Sequence, residues 1–175
     1  MDSVLGRIAA TVLTLLVLAA VGLGIYKAFS GNKVAQTVTD LSMLVNSARA
    51  QYSQGNGGYT AFAVTNGNAG ALINSNGTSA IIPSDMIRGG QVVDAWGNTV
   101  SIVSLNNGSQ FRVDLGGNGV TASQCAQLLT EINGYVWIGV TNGATVFTPA
   151  APPNATTAAG ACTGATANAI EVNFE

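Results

Sequence analysis

Residues able to do acid–base, nucleophilic or metal chemistry are few and scattered along the chain. Histidine is absent, so Ser-His-Asp and Cys-His arrangements and histidine metal sites have no material. The two cysteines, Cys125 and Cys162, are too few for a structural zinc set. Asp85, Asp94 and Asp114 stand singly in or beside turns, where a carboxylate ordinarily caps backbone N–H groups rather than sharing acid–base work. Asp94 or Asp114 with backbone carbonyls is the best material for a calcium site, but no stretch has EF-hand spacing. Asn76-Gly-Thr78, Asn107-Gly-Ser109 and Asn154-Ala-Thr156 fit the N-glycosylation pattern, which a chain this rich in Asn, Gly and Thr also produces by chance. The expectation is no enzyme, no cofactor and no resident metal.

Composition narrows the rest. Charged residues are 8% of the 175, and 22 are glycine, so solubility rests on neutral polar groups. Six basic against eight acidic groups leave a formal charge of −2 with no basic cluster, and direct nucleic-acid binding by a single subunit is not expected. The cysteines are expected to pair if the chain reaches an oxidising compartment; a reduced pair inside the cell is the competing reading.

Everything else is arranged around the first fifty-two residues, which read as one helix of two kinds. Ile8–Tyr26 is nineteen residues without a charge, rich in Leu, Val and Ala, about what one bilayer crossing requires. It is longer than the apolar part of a secretory signal and runs on without a break. From Val34 the pattern becomes a stripe, Val34, Val38, Leu41, Val45, Ala48 and Tyr52, that fits packing on a soluble domain. At 1.5 Å per residue such a helix is about 75–80 Å long, so its first half must protrude from a head of this size. The expected division is 1–29 as a transmembrane or filament-core helix and 30–175 as a globular domain that includes an amphipathic helix over 30–52. Within the span, Gly22 and Gly24 mark either a segment that melts on leaving lipid or a place where helices approach closely. Lys27 and Lys33 follow the span while Asp2 and Arg7 cancel before it, which would keep the head in the cytoplasm. Removal of a short basic leader after insertion would resolve the conflict with a disulfide.

Beyond Gln54–Gly58, a helix end, a long connection runs from Tyr59 to about Asn98, with Pro83–Met86 as a possible helical turn and Trp96 as a core anchor. The period then switches to two. Thr99–Leu105 and Gln110–Leu115 flank Asn106-Asn-Gly108 and predict an antiparallel hairpin. Thr121–Asn133 predicts a short helix with Cys125, Leu128, Leu129 and Ile132 on one face. Tyr135–Thr141 and Ala144–Thr148 predict a second hairpin, Pro149–Gly160 a small-residue loop with no core of its own, and Ala169–Phe174 a final alternating strand. The fold class is α+β: a long N-terminal helix packed on an antiparallel β-sheet head.

Met1, the span Ile8–Tyr26, the amphipathic Val34–Tyr52 and then Thr121–Asn133 carrying Cys125, Tyr135–Thr141, Cys162 and the final segment Ala169–Phe174 resemble a type IV pilin, most closely the type IVb subclass, whose mature chains often begin with Met. The resemblance covers most of the chain through its overall arrangement. It implies a major pilus subunit with an N-methylated Met1, stored in the inner membrane, handled by a pilus assembly machinery and polymerised with identical subunits into a helical filament at the cell surface. Leu13, Leu16 and Val17, with Gly22 and Gly24, would lie in that filament's core. The family's usual fifth-position glutamate is Leu5 here; Asp2, paired with a neighbour's amine or with Arg7, is one substitute, and a simple interfacial position for Asp2 and Arg7 is the other reading. A membrane-anchored monomeric surface domain and a secretion-system pseudopilin are the alternative functions.

Overall fold

The computed structural model describes residues 32–52, 57–140, 146–163 and 168–175. The chain divides into two units, Met1–Lys33 and Val34–Glu175; the architecture below is that of the second. Helix α1 (32–52) is followed by 3₁₀ turns at Gly58–Ala61, Gly70–Leu72 and Ser84–Met86, then by a small hairpin, β1 (Ile87–Arg88) and β2 (Gln91–Val92). The main sheet follows with β3 (Ser101–Leu105) and β4 (Gln110–Gly117), helix α2 (Ala122–Glu131), β5 (Trp137–Val140), β6 (Val146–Phe147), helix α3 (Ala155–Ala161) and β7 (Asn168–Phe174). The α+β fold expected from the sequence, a helix packed on an antiparallel sheet, is the fold observed.

The sheet order is β3-β4-β7-β5-β6, and every pairing is antiparallel. The first hairpin follows from alternation around Asn-Gly. Phe111, Val113 and Leu115 of β4 point into the core, and Asn106 and Asn107 take positive φ to turn the chain. That turn lies against the turn at Gly57–Ala61: a side chain on Gly58 would strike the Gly108 carbonyl, and one on Gly108 would lie 2.6 Å from the Gly57 carbonyl. Two backbones therefore meet where only glycine leaves room.

Residues Val34, Leu41, Leu44, Val45 and Ala48 of α1 are buried against this core, with Val38 and Tyr52 half-buried beside them. The expected stripe omitted Leu44, which completes the i, i+3, i+7 series with Leu41 and Ala48. An aromatic chain closes the C-terminal end of the helix: Tyr52 to Phe62 at 5.5 Å, Phe62 to Phe111 at 5.2 Å and Phe111 to Phe174 at 5.5 Å between ring centroids. Such pairs contribute about 0.5–1.5 kcal/mol each beyond area burial. Arg49 then ties the helix to the chain end, donating from Nε to the Glu175 carbonyl at 2.7 Å and from Nη2 to the Gly134 carbonyl at 3.3 Å.

One expectation needs correction. Pro149–Gly160 is not all loop, because α3 begins inside it. Asn154 accepts from the backbone N–H groups of Thr156 and Thr157, and the Thr157 hydroxyl accepts from the Asn154 N–H, a complete capping box. Ala158 and Ala161 are buried, and α3 packs on α2. Alanine has high helix propensity and its small side chain lets the backbones approach, so helix formation needs no large apolar stripe here. Asn173, which alternates with the buried Val172 and Phe174, is also covered: it is only 2% exposed, lying in register between Arg112 and Trp137, and its Nδ2 donates to Gln110 Oε1 at 3.0 Å.

Cys125 of α2 and Cys162 at the end of α3 are joined, S–S 2.01 Å and Cα–Cα 5.9 Å, across a separation of 37 residues. Closing a loop of that length restricts the unfolded chain by about 4 kcal/mol in the loop-entropy model. Without the bond, α3 is held by two buried alanines and its cap. Cys162→Ser should lower the melting temperature and open the 149–175 segment to protease. An unchanged melt and an unchanged digestion pattern would show that α3 and β7 hold without the bond.

Candidate functional site

Met1, Asp2, Leu5, Arg7, Leu13, Leu16, Val17, Gly22 and Gly24, the residues singled out for assembly and modification, lie outside the described residues, as does the whole apolar segment Ile8–Tyr26. Among the described residues no helix is long and apolar enough to cross a membrane. The sites within the head are those of the three lone aspartates, a buried carboxylate on α1, and the groove beside α1.

Asp94 is 3% exposed. Its Oδ1 accepts from the backbone N–H groups of Trp96 and Asn98, both at 2.9 Å, and its Oδ2 from the Gly116 N–H at 2.8 Å and from Asn98 Nδ2 at 3.2 Å. The carboxylate thus pins the turn before β3 to the end of β4, and its lone pairs are spent on N–H groups. Trp96 beside it is half-buried against the core, its indole N–H donating to Gln124 Oε1 at 3.3 Å, which joins this turn to the capping box of α2. Asp114 faces Glu171 across the β4–β7 ladder, and Arg112 bridges the like charges: Nε to Asp114 Oδ1 at 2.8 Å, Nη2 to Asp114 Oδ2 at 3.1 Å and Nη1 to Glu171 Oε2 at 3.8 Å. Asp85 is exposed in the Ser84–Met86 turn. No group of three or more metal-ligating side chains occurs among the described residues.

Asp40 was not singled out from the sequence, although its position four residues before Leu44 places it on the buried face of α1. It is 4% exposed, and burial first and the nearby Asp85 second raise its pKa above the usual carboxylate value, opposed by Arg88. Beside it on α1 is a groove of about 200 Å³ with an apolar floor of Val38, Leu41, Val45, Ile132 and Phe174. These features can pack and pair charges. They assemble no nucleophile, general base or metal centre.

Residues 32–174 match the family model described as PilS N terminal. The chain belongs to this family. The match covers α1 and every strand of the sheet, so the head is a type IV pilin-like domain and the role at family level is a pilin-like structural one. No curated protein and no solved structure matches the chain. In this pilin-like head Asp94 and Asp40 are opposites: one carboxylate stabilised by four donors, the other buried with a field that disfavours its charge.

Two predictions follow from that contrast. Asp94→Ala should cost more than about 2 kcal/mol, because it leaves buried N–H groups without acceptors that were charge-assisted; a wild-type unfolding curve would show the turn to be held otherwise. Asp40 has a raised folded-state pKa, so its contribution is most favourable below the unfolded carboxylate value and is lost as pH rises through the folded value. Asp40→Asn should therefore raise the melting temperature at pH 7 and flatten its fall between acid and neutral pH. Destabilisation of this variant at pH 7 would contradict the assignment.

Proposed function

We propose that the chain is a subunit that polymerises into a type IV pilus filament through its hydrophobic N-terminal helix, in the manner of the type IVb subclass. The observation that carries this reading is the join at α1: a helix buried on a family-typical pilin head is preceded in the sequence by nineteen uncharged residues. Those residues must be buried in lipid or against identical helices, and a helical array supplies the second with one repeated contact. Residues 1–29 then form the membrane anchor and later the filament core, and 30–175 form the head displayed outside the cell. Subunits wait in the inner membrane until the pilus assembly machinery extracts them. Disulfide-bonded Cys125 and Cys162 fit that extracellular destination.

Sheared surface material viewed by negative stain, with N-terminal mass analysis for a methylated Met1, tests the reading. Leu16→Asp should abolish filaments, since a carboxylate in that bundle has no partner; abundant normal pili from this variant would refute polymerisation through the segment. Asp2→Ala should reduce filament number while leaving the head folded if Asp2 takes the place of the carboxylate that Leu5 lacks. Unchanged piliation would assign Asp2 to the membrane interface instead.

A further inference from the structure

Asp40 shares one edge of the buried face of α1 with Thr37 and Leu44, and at 4% exposure it is as enclosed as its apolar neighbours. Yet no hydrogen bond reaches its carboxylate among the described residues, in contrast to Asp94, whose oxygens take four. The charged groups that act on it come from the connection after α1: Asp85 in the Ser84–Met86 turn and Arg88 in β1, both exposed. On α1 itself the nearest basic residues among those described, Lys33 and Arg49, lie about two turns or more along the helix. A carboxylate buried without donors must stay neutral or gain access to water.

The segment that carries Asp85 and Arg88 is fastened to the head by packing, not by hydrogen bonds. Within Ser79–Arg88 the amides of Ile81 and Ile82 donate to Ser79 Oγ at 3.2 and 3.1 Å, and that of Met86 to the Pro83 carbonyl at 3.0 Å. Its other backbone bonds go to Gln91–Val93, through the β1–β2 ladder and from the Val93 N–H to the Met86 carbonyl at 2.8 Å. None reaches α1 or the main sheet among the described residues. What holds the segment down is the burial of Ile81, Ile82 and Met86 in the core that also takes Leu41 and Leu44. Glycines bound it on both sides, Gly77 at φ 74° and Gly89 and Gly90 at 58° and 78°, with nothing within 4 Å of a Cβ placed on any of the three. The chain can pivot there. Past the second hinge the Val92 N–H donates to the Gly67 carbonyl at 2.8 Å, which anchors that end.

We infer that Ser79–Arg88 is a pH-operated strap, closed over α1 while Asp40 is protonated and lifted from the helix when Asp40 ionises. Lifting hydrates the carboxylate and takes Asp85 away from it, against the exposure of Ile81, Ile82 and Met86. Asp40 in the closed strap has a raised pKa, by burial first and Asp85 second, with Arg88 opposing. Closure is therefore fullest below the ordinary carboxylate value and is lost as pH rises through the closed-state value. The strap lies wholly within the head and does not depend on polymerisation.

Hydrogen exchange of the full chain in a neutral detergent tests this, read as protection factors so that the intrinsic pH dependence of exchange cancels. From about pH 4 to about pH 8 the Ile81, Ile82 and Met86 amides should lose about tenfold in protection, the effect of a shift of about one pKa unit, while those of β4 and β7 keep theirs. Asp40→Asn should hold the strap's protection high and flat across the range. Asp85→Asn should move the midpoint to lower pH and shrink the loss, and Arg88→Gln should raise the midpoint and enlarge it. Opposite shifts from two exposed substitutions are not expected if Asp40 only fills space. Strap protection in the wild type that does not change with pH, or an Asp40→Asn strap that loosens as the wild type does, would overturn the inference. Should Asp40→Asn fail to fold, unchanged midpoints in both other variants would overturn it equally.

Discussion

The sheet is held together by the last strand of the chain. β7 lies between β4 and β5, so among the described residues the β3–β4 hairpin and the β5–β6 hairpin share no ladder of their own and are joined in the sheet through Asn168–Phe174. Ile170, Val172 and Phe174 are buried there, and Phe174 extends the aromatic chain that begins at Tyr52 on α1. A strand added last in sequence and central in space makes the contacts non-local, and non-local pairing is slow to form because loop closure comes before its reward. The disulfide shortens that search from the other side, by fixing α3, the element just before β7 in the order of the fold, to α2.

This constraint explains why the chain's few charges are placed as they are. Arg49 binds the carbonyl of Glu175, holding the end of β7 to the helix on which the head is built. Arg112 neutralises Asp114 and Glu171, which would otherwise repel across the β4–β7 ladder. Asp94 closes the turn that delivers β3 to the sheet edge and reaches the Gly116 N–H on β4.

Much of this was legible in the sequence, for physical reasons that differ by element. The β3–β4 hairpin announced itself because Asn-Gly fixes the turn and Phe111, Val113 and Leu115 fix the face. Helix α2 did so through the helical spacing of Cys125, Leu128, Leu129 and Ile132, and the structure adds the capping box that Thr121 makes with Gln124. Helix α3 was missed because Ala, Thr and Gly give no contrast between a buried and an exposed face; only Asn154 with Thr157 three residues later carried a signal. The cover over Asn173 was not legible because alternation tells which side of a sheet a residue faces, not whether Arg112 and Trp137 will lie beside it. The expected role of Trp96 became more specific, since its burial is partial and its indole N–H is anchored to Gln124. Of the candidate site, α1 is described packed on the head, while Asp2, Leu16 and their neighbours lie outside the described residues and rest on the sequence pattern.

Helical reconstruction by electron cryomicroscopy of filaments sheared from cells is the most direct measurement of the account. It should show rods of helical density at the axis running outward into heads in which β7 lies between β4 and β5, one chain per repeating unit. Filaments with an empty axis, or with heads joined to one another and no helix entering the core, would contradict it.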